Sequence, residues 1–133
     1  MMKKNASIYQ RAGGYFTLDR AVYESAAFKS LSCRDRAALL QILFHYIPNK
    51  SELIAMSSRR LALCIGINKD TAAKSLRHLV KVGLLDIVSE ADWISGQARK
   101  YRLTFKPFKN RTPTDEWSKY QNDEPNSSDK VSK

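Results

Sequence analysis

Along residues 33–47, apolar side chains recur at the three- and four-residue spacing of a helix. Ala37, Leu40, Leu43, Phe44 and Ile47 are its expected inward face. Ser32-Cys33-Arg34-Asp35 opens it as a capping box, with a hydroxyl at the cap and an acid three residues on. Pro48-Asn49 closes it. Upstream, Tyr15-Phe16-Thr17-Leu18 is short and apolar. Asp19 is then expected to cap a short helix running to about Lys29 and burying Leu18, Val22 and Phe28. Downstream, Ser51-Glu52-Leu53-Ile54 connects onward and is a candidate short strand.

Two further helices follow in close succession. Ser57 is the expected cap of a helix over 58–65, with Leu61, Ala62 and Ile65 inward, and Gly66 breaks it. Asn68 caps the next, which runs through Val82 with Ala72, Leu76, Leu79 and Val80 inward. Gly83 ends it where a left-handed residue costs least. Leu84-Leu85-Asp86-Ile87-Val88 reads as a strand. Residues 99–105 alternate strictly, with Tyr101, Leu103 and Phe105 on one face and Lys100, Arg102 and Thr104 on the other. Ser95-Gly96 supplies a turn between the two strands. The fold class is therefore mainly α with a small β-hairpin, an α+β domain.

The rest of the chain lacks this periodicity. Residues 1–14 are polar, end in Gly13-Gly14 and are expected to form a flexible arm. From Lys106 onward Pro107, Pro113 and Pro125 interrupt a stretch rich in Asn, Ser, Asp and Lys, and 106–133 is expected to be a mostly disordered tail. The folded domain is thus expected over 15–105, and a chain of 133 residues suits one such domain.

Charge narrows the partner. The net charge is +10, and residues 1–105 carry 17 Lys and Arg against 8 Asp and Glu. The positive field belongs to the part expected to fold, which points to a polyanion, either nucleic acid or an anionic membrane surface. No stretch approaches the roughly 20 apolar residues that span a bilayer. The basic N-terminus has no apolar run behind it, as a signal peptide would. A soluble, cytoplasmic, nucleoid-associated protein with no membrane partner is expected, with Cys33 and Cys64 reduced.

The most informative stretch runs from Ser57 to Leu85. Ala62 is small, so its helix can approach the next one closely. Gly66 permits the tight turn, and Ile67 plugs the angle between the helices. Thr71 lies near the start of the later helix, where its hydroxyl can serve a free amide or a phosphate. Leu76 and Leu79 lock that helix to the core, and Gly83-Leu84-Leu85 turns it into the first strand. Two helices set this way push the second into a major groove while the first crosses the backbone.

On these residues the chain resembles the winged helix-turn-helix superfamily over about 32–105. The spacing of Ser57, Arg59, Leu61-Ala62, Gly66, Thr71, Leu76, Leu79 and Gly83-Leu84 is similar to the DNA-binding half of GntR-type bacterial repressors. The upstream Leu31-Ser-Cys-Arg-Asp-Arg-Ala-Ala-Leu-Leu helix looks more like small helix-turn-helix proteins of phages and plasmids. The resemblance implies DNA-contact roles for Arg59 and Lys69. Ala73 stands where that type often carries a further arginine, a departure that leaves operator preference unspecified. GntR regulators also carry a large effector domain with no counterpart here, so no small-molecule inducer is implied.

Face polarity fills in the candidate site. With Ala72, Leu76 and Leu79 inward, the opposite face of the helix shows Lys69, Asp70, Ala73, Lys74 and Arg77, and only Asp70 is acidic. Lys and Arg can read guanine edges, and Ala73 leaves room for close approach or a thymine methyl. Ser57 and Asn68 stand at the two helix starts. In the hairpin, Arg99, Lys100 and Arg102 are expected along phosphates or in the minor groove. Trp93, near the hairpin tip, is expected to fold back onto the core or join a dimer rather than touch DNA.

Other chemistry finds little support. Cys33, His45, Cys64 and His78 have separations that fit no zinc pattern, and Cys64 beside Ile65 reads as small core filler. There is no phosphate loop, no paired acids at a credible site and no Ser/His/Asp or Cys/His arrangement. The expectation is a sequence-specific, double-stranded DNA-binding protein without cofactor, metal or enzymatic activity, acting as a bacterial, phage or plasmid transcription regulator. An origin-binding replication protein and a winged-helix interaction module are the alternatives. A homodimer is a candidate assembly, because such modules usually need two half-sites, although no heptad marks an interface.

Overall fold

A computed structural model describes residues 12–121. It is a mixed α+β arrangement in chain order α1 (Arg20–Tyr23), α2 (Ala26–Lys29), α3 (Cys33–His45), β1 (Ile54–Ala55), α4 (Ser58–Ile65), α5 (Lys69–Lys81), β2 (Leu85–Ser89), β3 (Lys100–Leu103) and a 3-10 turn, η1 (Glu116–Lys119). The three strands form one antiparallel sheet in the order β1-β3-β2. Residues 1–11 and 122–133, which hold most of the expected arm and the end of the expected tail, lie outside the described residues.

The helix starts follow their capping chemistry. Ser32 Oγ accepts from Asp35 N–H, and the Asp35 carboxylate accepts from Ser32 N–H, which completes the capping box of α3. Ser57 Oγ accepts from Arg60 N–H at α4, and Asn68 Oδ1 accepts from Thr71 N–H at 2.8 Å at α5. Between α4 and α5, Gly66 takes φ +76°, so that its own amide and that of Ile67 both donate to the Ala62 carbonyl. At the far end of α5, Gly83 N–H donates to Val80 O and Leu84 N–H to Leu79 O.

One core joins helices and sheet. Leu39, Ile42 and Leu43 of α3, Leu61 and Ala62 of α4, and Ala72, Leu76 and Leu79 of α5 are all buried. They meet Leu84, Leu85, Tyr101, Leu103 and Phe105 from the sheet side. Tyr101, Leu103 and Phe105 are buried together, as their alternation requires.

Four expectations need correction. The inward face of α3 is Ala38, Leu39, Ile42 and Leu43, while Leu40, Phe44 and Ile47 are about half exposed. From Ala37 to Phe44 only Gln41 is polar, so periodicity alone admits more than one phase. The helix expected from Asp19 to Lys29 is broken in two. Ser25 Oγ donates to Val22 O at 2.6 Å and accepts from Phe28 N–H, ending α1 and restarting the chain as α2, and Asp19 makes no side-chain cap bond. Cys64 is exposed rather than core filler.

The fourth correction concerns residues 106–121, which fold onto the domain. Tyr46 Oη donates to Pro107 O at 2.6 Å, Lys109 N–H to the Glu52 carboxylate at 2.8 Å, and Asp115 N–H to Thr104 O at 2.9 Å. Trp117 and Tyr120 pack against the core. Gly83 is required here twice over. Its φ is +89°, and a Cβ at this position would lie 2.8 Å from the backbone of Glu116 and Trp117. No helix among the described residues is long and apolar enough to cross a membrane.

Candidate nucleic-acid interface

The expected site residues divide between the α4–α5 pair and the β2–β3 hairpin. α5 buries Ala72, Ser75, Leu76 and Leu79 and turns its other side outward. Asp70, Lys74, Arg77 and Lys81 recur at helical spacing on that exposed side. Lys69, Lys74, Arg77 and Lys81 form no ion pair among the described residues. Their donors are available to a ligand.

α5 is held in position by its buried side. Leu76 and Leu79 anchor it apolarly, and His78 Nδ1 lies 2.6 Å from the Asp35 carboxylate of α3. Burial raises the Asp35 pKa, but hydrogen bonds from Ser75, His78 and the Ser32 amide, with the charge of His78, outweigh it. The net shift is downward. Asp35 thus caps α3 and ties it to the C-terminal half of α5.

A cleft of about 540 Å³ separates the starts of α4 and α5 from the hairpin loop. Ser57, Arg59, Lys69, Asp70 and Ala73 line one side, with Asp92, Trp93 and Gln97 among the residues opposite. The structure therefore gathers five of the expected contact residues at one opening. Lys74 and Arg77 lie beyond it along α5. Asn68 and Thr71 are bonded to each other at the α5 start, where Asn68 is exposed and Thr71 half-buried.

The hairpin cations differ. Arg99 Nε is 2.8 Å from Glu90 Oε1. Its hydrogen bond with Tyr101 raises its pKa further, against partial burial and with help from Glu90. Arg102 departs most from expectation. Its Nε contacts Asp86 at 3.1 Å, and its other two nitrogens reach Thr114 at 2.9 Å and Glu116 at 3.3 Å. The side chain is only 13% exposed. It is a clamp between β3, β2 and the C-terminal segment, with all three guanidinium nitrogens engaged. Lys100 stays half-buried and without an ion pair among the described residues.

Trp93 neither folds back nor reaches the core. It is 92% exposed, and its neighbour Ile94 is 98% exposed. Sequence reasoning also passed over Lys81, which continues the exposed α5 stripe, and its spacing from Lys74 and Arg77 was the available signal. Among the described residues no group of His, Cys, Asp and Glu could hold a metal ion. No family model, curated protein or solved structure matches the chain.

Proposed function

We propose that this protein is a winged helix-turn-helix transcription regulator that binds double-stranded DNA in a sequence-specific manner. In this reading α5 lies in the major groove, α4 crosses the backbone, and the β2–β3 hairpin rests on the flanking strand. The observation that carries it is the α5 surface. Four cations that form no ion pair among the described residues stand on the exposed side of a helix whose other side is fixed in the core. In this reading Lys74 and Arg77 read base edges. Arg59, Lys69 and Lys100 serve the backbone, and Ser57, Asn68 and Thr71 set the helix starts that approach it.

Selection of bound fragments from a random duplex pool tests the reading. Enrichment of one motif supports it, and equal retention of all sequences counts against specific recognition. A symmetric motif would also support the homodimer. The surface that favours such an assembly is the outer face of α3 and the residues just after it, where Leu40, Phe44 and Ile47 are exposed and Phe16 stacks edge-on against Phe44 at 6.1 Å. Sedimentation equilibrium of the full chain, with and without Phe44→Ser, measures it.

A further inference from the structure

We propose that Trp93 and Ile94, at the tip of the β2–β3 hairpin, form an apolar wedge that enters the minor groove and partly unstacks a base step, kinking the duplex. The proposal rests on the DNA-binding reading and adds a deformation that the α5 contacts do not require.

The tip is built without needing these two side chains. Asp92 Oδ1 accepts from the amides of Ile94 at 3.0 Å and Ser95 at 3.5 Å. The Asp92 carbonyl accepts from Gly96 and Gln97, and Asp92 N–H donates to the Gln97 carbonyl at 2.9 Å. The stem is closed by Arg99 and Glu90. Every bond that shapes the turn therefore comes from backbone, Asp92 or the stem. Polar side chains at 93 and 94 would leave the turn intact and avoid presenting apolar surface to water. Instead Trp93 and Ile94 are the two most exposed large apolar residues among those described.

Their surroundings select the ligand. Trp93 lines the cleft whose other side carries Arg59 and Lys69, so the apolar tip and these cations open on one space. Of the acids nearby, Glu90 is engaged by Arg99 and Asp92 by the turn amides, which leaves Asp70 against the two cations Arg59 and Lys69 of the same cleft. A second copy seated on the tip would bring its own Arg59 and Lys69 to the same place, and each copy carries a net charge of +10. A polyanion with insertable apolar steps fits better. Proteins that kink DNA insert such side chains between base pairs from the minor groove, flanked by cations on the phosphates.

The test uses the full chain with Trp117→Phe, which leaves Trp93 as the single tryptophan of the two in the sequence. The probe is a mixed-sequence duplex of about 30 base pairs, the length over which a bend is readable, with a donor and an acceptor dye at its ends. Binding is followed by anisotropy, insertion by Trp93 emission and bending by energy transfer. We expect Trp93 emission to be quenched on binding and the duplex ends to approach. Trp93→Ala should remove the bend and weaken binding by about tenfold, the scale of one lost stacking contact. Trp93→Phe should restore most of both. Binding with unchanged Trp93 emission and no bend would overturn the wedge and leave the DNA reading standing. Absence of any duplex binding would overturn both. Quenching by single strands alone, or by raising protein concentration without DNA, would assign the tip to another partner and overturn the wedge.

Discussion

The outer face of α5 and the β2–β3 hairpin carry similar numbers of cations in sequence, yet they offer very different amounts of charge to a ligand. On α5, Lys69, Lys74, Arg77 and Lys81 have no carboxylate partner among the described residues. In the hairpin, Arg99 is paired with Glu90, and Arg102 is divided between Asp86 and Glu116. A net charge counts both regions alike, whereas a phosphate meets only donors that remain free. The difference teaches that a basic sequence locates a polyanion interface only after internal ion pairs are subtracted. On the proposed reading the helix supplies charge and the hairpin supplies shape.

The salt dependence of duplex binding carries the largest expected effect. On the proposed reading Arg59, Lys69, Lys81 and Lys100 are the phosphate contacts once the clamped arginines and the two base readers are set aside. About four phosphate contacts lower affinity roughly a hundredfold between 50 and 200 mM salt. A titration over that range by anisotropy checks it. A flat response would mean that the α5 charges are not used.

Next comes removal of residues 106–133. The cut deletes Glu116, and with it one carboxylate of the Arg102 clamp, and strips Trp117 and Tyr120 from the core. Partial burial of two aromatic side chains contributes about 3 kcal/mol. A clear fall in melting temperature is expected. A truncated chain that melts like the parent would show that the clamp and the tail packing do not stabilise the fold.

Somewhat smaller is the effect of Lys74→Ala or Arg77→Ala. Loss of a base contact costs about 1–3 kcal/mol and falls on the preferred sequence more than on scrambled DNA. Titration of both duplexes beside a thermal melt separates reading from folding. Unchanged discrimination in both variants would remove α5 as the reader.

These contrasts show how much of the molecule was legible beforehand. The bounds of α4 and α5 were legible nearly to the residue, because each opens on a side-chain cap, Ser57 or Asn68, and α4 ends at a glycine; which α4 residues face outward was less so, since Leu63 is exposed. The phase of α3 was not, since Leu40 and Phe44 look as core-like as Leu39 and Leu43 until Asp35 meets His78. The C-terminal segment was illegible for another reason. Its anchors are single contacts to distant residues, such as Tyr46 with Pro107 and Gly83 with Glu116, and single contacts leave no period. In the site, free cations on an amphipathic helix could be read directly. Arg102 could not, because Glu116 and Thr114 come from the segment that looked unstructured, although the cross-strand register with Asp86 was a local clue.

Arg102→Ala probes the comparison from the hairpin side. The guanidinium is largely enclosed, while Asp86 and Glu116 are about half exposed, so screening discounts the pair energies. A loss of about 1.5 kcal/mol in stability is expected, from the hydrogen bonds to a charged group. The salt slope of duplex binding should stay that of the parent. Stable protein with a slope reduced by about one would return Arg102 to the phosphate contacts.

The smallest effect, and the sharpest discriminator, belongs to Arg99→Ala. Arg99 is 39% exposed and its Glu90 partner 67% exposed, so solvent screens the pair strongly. Losing it should cost stability no more than about 0.5 kcal/mol. Its consequence for binding depends on what Arg99 does when DNA arrives. If it stays with Glu90, removal frees a carboxylate beside the cleft, and binding weakens through repulsion with little change in salt slope. If it leaves Glu90 for a phosphate, the slope falls by about one, as for any lost backbone contact. Glu90→Gln, alone and combined with Arg99→Ala, separates the two. It releases Arg99 and removes one negative charge, so it should tighten duplex binding by a few-fold in either case. Combined with Arg99→Ala, it should return affinity to the parent value if the arginine is committed to Glu90, because the pair contributes no net charge. The double variant would stay weaker than the parent if Arg99 serves the phosphate directly. The clamped reading of the hairpin expects recovery, and anisotropy titrations of the four proteins at two salt concentrations decide it.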